Sequence, residues 1–238
     1  VGDITIKVDN KTNNLLSANV TVTGQDNDVN LNGNYKIDDG NLDFDLNLKK
    51  LNIKSIQGFS MGNIKEGTGY LAGNFKITGN ASAPKVNGEL NFKETGFRVT
   101  KLNSFFKTQN EKITLQNDVI TFDKFTFHDE NDNELTINGT IKSADYTNFD
   151  FGLTVVADDF RAIHSKEVDN DLFYGDLILD TKLNIKGTLA NPVIGGNINI
   201  NKDTKFTVVL PQSDPSIADR EGIVEFVVRI YHIRAFPC

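Results

Sequence analysis

The chain has 238 residues, a hydrophobic fraction of 38% and a formal net charge of −7. That acidity disfavours nucleic acid and anionic membrane surfaces, which recruit basic patches. Its single cysteine, Cys238, excludes an intrachain disulfide, and no run approaches the roughly 18 consecutive apolar residues of a membrane-spanning helix. The chain opens on Val1 without a signal peptide, which reads as a piece of a longer protein.

In chain order, short alternating runs are separated by clusters of Asn, Asp and Gly. Residues 9–14 form the first such cluster, then 24–28 and 38–41. Between them lie Val20-Thr21-Val22 and Val29-Asn30-Leu31-Asn32-Gly33, and after them Leu42-Asp43-Phe44-Asp45-Leu46-Asn47-Leu48. Successive side chains of a strand point to opposite faces, so each run has one apolar and one wet face. Asn and Asp suit strands poorly, except where that face meets solvent. Their clusters reverse the chain, which predicts roughly fifteen short, mostly antiparallel strands joined by hairpins. Further on, Phe125-Thr126-Phe127, a turn at 129–133, Leu135-Thr136-Ile137-Asn138-Gly139 and the alternating run 149–155 repeat the pattern. Residues 161–172 are polar and loosely patterned, which predicts a loop. Residues 213–222 carry Pro215 near a first turn and end on Gly222, the only segment expected to be helical.

One phrase occurs twice. Residues 77–92 read Ile-Thr-Gly, a short turn, Pro84, Val86, Gly88 and Leu90-Asn91-Phe92; residues 185–200 read Ile-Lys-Gly, a turn, Pro192, Ile194, Gly196 and Ile198-Asn199-Ile200. Gly79 to Gly187, Pro84 to Pro192 and Gly88 to Gly196 are each 108 positions apart. The echo extends outward: 42–48 matches 149–155, Gly67 matches Gly175, and Phe97-Arg98-Val99 matches Phe206-Thr207-Val208. Residues 1–227 therefore read as about two copies of one unit in a single continuous β domain, with 228–238 an atypical, truncated or frameshifted tail.

A sheet with one apolar face must cover it, and no amphipathic helices are available here. The expected fold is all-β: an elongated, mostly antiparallel curled sheet with at most one short helix. Glycines such as Gly73, Gly79, Gly88, Gly175, Gly187 and Gly196 would serve its bends. If the sheet curls partway, its apolar lining becomes a groove suited to acyl chains; if it closes, the same stripes are an ordinary β core.

Catalytic and metal signals are weak. Residues 129–134 place oxygens at alternate positions like a calcium loop, but the sixth position is Glu134 where Gly belongs and the twelfth is Thr140. His128, His164 and His232 are scattered and read as solvated turn residues. The acid pairs at 158–159 and 169–171 read as loop residues without aromatic platforms, and there is no Trp. The reading is of a protein without enzymatic chemistry, cofactor or metal.

The run 204–226 resembles the C-terminal domain of TamB, the translocation and assembly module subunit, in its Bacteroidota form. The repeated phrase, Asp171-Leu172-Phe173-Tyr174-Gly175 and the hairpin at 125–139 are similar to repeats of TamB and the wider AsmA-like group. The resemblance covers about residues 1–227. It implies a periplasmic protein anchored in the inner membrane by an N-terminal helix outside this segment. It also implies a β-taco groove, an outer-membrane barrel partner such as TamA, and phospholipid transport between the membranes in support of outer-membrane biogenesis. The groove-lining candidates carried over are Phe44, Leu46, Phe75, Ile77, Phe92, Phe125, Phe127, Phe149, Phe151, Leu153, Leu183, Ile185, Ile198 and Ile200. A structural or adhesive β-repeat scaffold with a packed core is the alternative.

Overall fold

The computed structural model describes residues 2–143 and 145–210. The expected helix at 213–222 and the tail at 228–238 lie outside them. Among the described residues strands take 73% and helix 2%, which makes the fold all-β. The strands are β1 (Asp3–Thr12), β2 (Leu15–Gly24), β3 (Asn27–Lys36), β4 (Asn41–Asn52), β5 (Ile64–Asn80), β6 (Ala83–Val99) and β7 (Ser104–Lys107). They continue as β8 (Asn110–Asn117), β9 (Val119–His128), β10 (Glu134–Lys142), β11 (Asp150–Ser165), β12 (Phe173–Thr188), β13 (Pro192–Ile200) and β14 (Lys205–Val208). All join one sheet in the order β1-β2-β3-β4-β5-β6-β7-β9-β10-β11-β12-β13; β8 pairs with β6 and β9, and β14 with β12. Apart from the pairs β6–β8, β7–β9 and β12–β14, neighbours follow one another in sequence, so hairpin turns fix most of the topology.

The wet face is held by cross-strand polar contacts. Lys76 Nζ sits 2.6 Å from Asp43 and 3.1 Å from Asp45, and Lys112 pairs with Glu89 at 2.9 Å. The hydrogen bond to Asp43 is the main reason the Lys76 ammonium holds its proton above the usual lysine range. Exposed pairs of this kind stabilise little, about 0–1 kcal/mol each, but they make Asn- and Asp-rich strands tolerable.

Both copies of the repeated phrase are hairpins: β5 with β6 and β12 with β13. Gly79 and Gly187 take φ of +84° and +82° at matching places before the two turns. Side chains rarely adopt that conformation, which accounts for glycine in both copies. The strand following each hairpin is broken. β7 and β8 together face β6, as β13 and β14 together face β12.

Two expectations are corrected. A one-turn helix, α1 (Ile53–Gln57), follows β4, with the Asn52 side chain accepting from the Lys54 amide at 2.9 Å. It buries Ile53 and Ser55 and is too short to show helical periodicity. Residues 161–165, read as loop, extend β11, so only 166–172 connect β11 to β12. No helix among the described residues is long and apolar enough to cross a membrane.

The sheet curls most at its centre. β7 and β11 are separated by β9 and β10 in the sheet order, yet Phe106 stacks on Phe160 with centroids 5.6 Å apart. The His164 amide reaches the Leu102 carbonyl at 2.9 Å across the same gap. Beneath this bridge the β9–β10 turn is pinned by Asp129, which is buried. Its carboxylate accepts from the amides of Asn131, Asn133 and Arg161 at 2.8, 3.0 and 2.8 Å. The supposed calcium-loop acid is thus consumed by backbone donors.

Candidate functional site: the apolar face

The ladder registers place apolar side chains on one face from β1 to β13. Phe44 stands opposite Ile77, Leu46 opposite Phe75, and Ile77 opposite Val86. Leu90 then meets Ile113 of β8, Ile113 meets Phe122, Phe122 meets Gly139, and Gly139 meets Leu153. Leu153 faces Ile185, which faces Ile194. Phe125 faces Ile137, Phe127 faces Leu135, and Phe151 lies between Ile141 and Gly187. Opposed residues in a ladder project to the same side, so this is one surface.

Phe75 shows how that surface is shaped. Gly73 and Gly88 flank it in the neighbouring ladder positions, and a β-carbon on either would come within 2.9 and 2.7 Å of its ring. The two glycines make room for the ring to lie flat and become buried.

Thirteen of the fourteen candidate residues share this face. Phe149 does not lie in a strand; it sits in the turn before β11, where its carbonyl accepts from the Leu189 amide at 2.9 Å. Ile198 and Ile200 are on the face but 58% and 66% exposed, because β13 ends the described sheet.

Around the candidates Phe92, Phe125 and Phe127 the structure gathers further phenyl groups, Phe97, Phe106, Phe122 and Phe160, that alternation did not identify. Phe92 meets Phe125 edge-on at 4.9 Å, Phe122 and Phe127 lie 6.0 and 5.0 Å from Phe125, and Phe97 packs on Phe127. A cavity of about 270 Å³ opens beside this cluster, lined by Phe97, Phe106, Phe127, Leu135, Ile137 and Phe160. Phe125 and Phe160 are the most deeply buried, at 2% exposure. Phe160 escaped detection because the register shifts between Ala157 and Phe160, with Asp159 at φ +50°. A bulge of this kind adds a residue and reverses inside–outside parity downstream. A second shift, at Lys124, lets both Phe122 and Phe125 face inward. The signal available in sequence was the interrupted alternation itself.

Ionisable groups lie elsewhere. His164 Nδ1 contacts Asp176 at 2.6 Å, with Arg161 Nε 3.7 Å from the same carboxylate oxygen. Both His128 and His164 lie on strands, and so do Asp158 and Asp159, contrary to the turn and loop placements read from sequence. Arg98 clasps the outer side of the phenyl cluster: Nε meets Glu66 and Nη1 meets Glu130, each at 2.8 Å. Partial burial works against its charge, but the two carboxylates outweigh it and raise its affinity for the proton. Among the described residues no three His, Cys, Asp or Glu side chains converge as metal ligands.

Fold and face together define a class: a single-sheet, all-β protein whose distinguishing surface is one continuous apolar face. Residues 123–231 match the family model of the TamB C-terminal domain, which identifies that stretch as a TamB-type domain. The match spans the second copy of the repeat and associates the chain with the translocation and assembly module of the cell envelope, a family of transport and assembly proteins rather than enzymes. No curated protein and no solved structure matches the chain.

Proposed function

We propose that this chain is a lipid-conducting segment of a TamB protein. Phospholipid acyl chains lie against its apolar face while headgroups remain in water, and no bond is made or broken. The segment moves phospholipids between inner and outer membrane across the periplasm, anchored at the inner membrane and delivering towards an outer-membrane barrel of the TamA kind.

The observation that carries this reading is the apolar face itself. It runs through every ladder from β4 to β12, yet most of its side chains are only half-buried. Each methylene taken from water onto such a surface is worth up to about 0.8 kcal/mol, so a bound chain recovers what the open face forgoes. The cavity beside Phe97, Phe106 and Phe160 is lined by apolar side chains alone and suits a chain rather than a headgroup.

The test is binding of a fluorescent phospholipid to delipidated protein. Leu153→Asp, on the apolar face of β11, is expected to abolish binding. Thr154→Asp, one residue along and on the wet face, is expected to leave it intact. Equal behaviour of the two variants, or no binding by the parent chain, would leave a packed structural scaffold as the better reading.

A further inference from the structure

The strand ends form two rims of opposite character. One is made of the turns at 13–14, 37–40, 81–82, 145–149 and 189–191, rich in Asn, Asp, Gly and Thr. Its exposed large apolar side chains are Ile37 and Leu189, far apart in the sheet order. The other rim includes the loops at 58–63, 100–103 and 166–172. There Phe59, Met61, Val168 and Leu172 are 69%, 96%, 89% and 60% exposed.

These three loops form one hydrogen-bonded belt. The Thr100 amide reaches the Asn63 carbonyl at 2.9 Å, and its hydroxyl reaches the Gly62 carbonyl at 2.6 Å. Leu102 accepts from the His164 amide, and Lys101 from the Asn170 side chain. The loop at 58–63 is built to hold its shape. Phe59, Ser60 and Asn63 amides bond to the carbonyls of Ile56, Gln57 and Ser60 at 2.9, 3.1 and 3.0 Å, and the Ser60 hydroxyl bonds to Gln57. Met61 sits at its tip with φ +51°. Polar groups are thus satisfied inside the belt while large apolar side chains stand outside it.

Charge identifies the surface these tips fit. The chain carries −7 overall, but the three loops hold Lys101 and Lys166 against Glu167, Asp169 and Asp171, a net charge of only −1. A belt of low net charge with apolar tips on separate loops suits a zwitterionic bilayer interface, where each tip can sink between headgroups independently. It lacks the flat, continuous face that a folded protein partner would cover.

We infer that this rim docks on the surface of a phospholipid bilayer through Phe59, Met61, Val168 and Leu172. The inference rests on the acyl-carrying reading and names where the conduit meets its membrane: the tips anchor the lip of the apolar face against the headgroup layer, so that a chain leaving the bilayer moves onto Phe97 and Phe106 without crossing open water.

The chain has no Trp and Met61 is its one Met, so both probes are clean. Phe59→Trp is titrated with phosphatidylcholine vesicles in the whole chain, with Leu189→Trp reporting on the opposite rim. A blue shift at position 59 and none at 189 is expected, persisting in about 1 M salt, where the Debye length falls to about 3 Å. Vesicles are expected to slow peroxide oxidation of Met61 several-fold. No shift at 59, equal shifts at both rims, or a shift that needs anionic lipid and vanishes in salt would overturn the inference. Measuring the Phe59→Trp reporter with and without Leu153→Asp separates the two readings: a shift at 59 with acyl binding that survives Leu153→Asp overturns the groove alone, and acyl binding that is lost on Leu153→Asp with no shift at 59 in either chain overturns the docking alone.

Discussion

The hairpins β5–β6 and β12–β13 carry the same phrase and have different fates. Leu90 lies between Gly73 and Ile113, and Phe92 packs edge-on against Phe125. Their counterparts Ile198 and Ile200 face Thr181 and Leu179 on one side and are mostly exposed on the other. The local pattern therefore specifies a hairpin and its register, while burial is set by the strand laid down next. In the first copy that strand is β8, leading on to β9 and the phenyl cluster. Apolar side chains can share position and spacing in a repeated phrase and still differ in what they contribute.

The largest test of this contrast sits at the cluster. Phe125→Ala is expected to cost about 3–5 kcal/mol, the range for a fully buried phenyl that leaves a cavity. Ile200→Ala should cost less than about 1 kcal/mol, because little transfer from water is lost at an exposed site. Urea unfolding of both variants, read by circular dichroism, gives the two values side by side; a similar loss for each would mean that burial does not divide the copies.

Glycines sharpen it next. A β-carbon at Gly88 would lie 2.2 Å from the Asn74 carbonyl oxygen and 2.7 Å from the Phe75 ring. Gly88→Ala is therefore expected to destabilise by about 1–3 kcal/mol through displaced backbone and ring. Gly195 in β13 has no atom within 4 Å of such a carbon. There, replacement by Ala should be neutral or stabilise by up to about 1 kcal/mol through the unfolded chain. Thermal midpoints are the direct measurement.

How much was legible follows from the same division. Period-two alternation and Asn/Asp turns were enough for an antiparallel all-β sheet, and two glycines and a proline kept in register were enough for matched hairpins. Phe44, Phe75, Phe151 and Leu183 could be placed on one face by parity because their strands run regularly there. Parity fails beyond a bulge, and Phe160 lies beyond one, in an acidic stretch that read as loop. Phe106 follows Phe105, so no alternation marked it. The stacking of Phe106 on Phe160 depends on the curl that brings β7 to β11, which local composition does not encode. Helix α1 is a single turn held by Asn52 and two buried side chains, below the length at which periodicity carries a signal.

The Arg98 clasp distinguishes the copies more gently. Its counterpart in the repeat is Thr207, which cannot bridge two carboxylates. Arg98→Thr should cost about 1–2 kcal/mol, since Glu66 and Glu130 lose a charged donor that is largely shielded from solvent. The loss should appear in amide exchange first at 100–103, because Arg98 Nη1 also donates to the Asn103 carbonyl at 2.6 Å. Uniform acceleration across the sheet would argue against a local clasp.

The smallest expected difference concerns acid. Equivalent turns precede β4 and β11, and each contains an aspartate whose carboxyl is held below its usual range. Asp39 is lowered chiefly by the Asn41 amide; Asp145 is lowered further by the amides of Asn148 and Thr147, with the Asn148 side chain adding a third donor. A carboxyl depressed in the fold contributes stability above its unfolded value and loses it as pH falls through the folded one. For both residues the loss therefore begins below about pH 4. Both side chains are solvent-facing, so the effects are modest and screened by salt. Asp145→Asn should flatten the acid limb of the thermal midpoint more than Asp39→Asn, in the order of their donors. If Asp39→Asn had the greater effect, backbone donors would not be what sets the acid response of these turns.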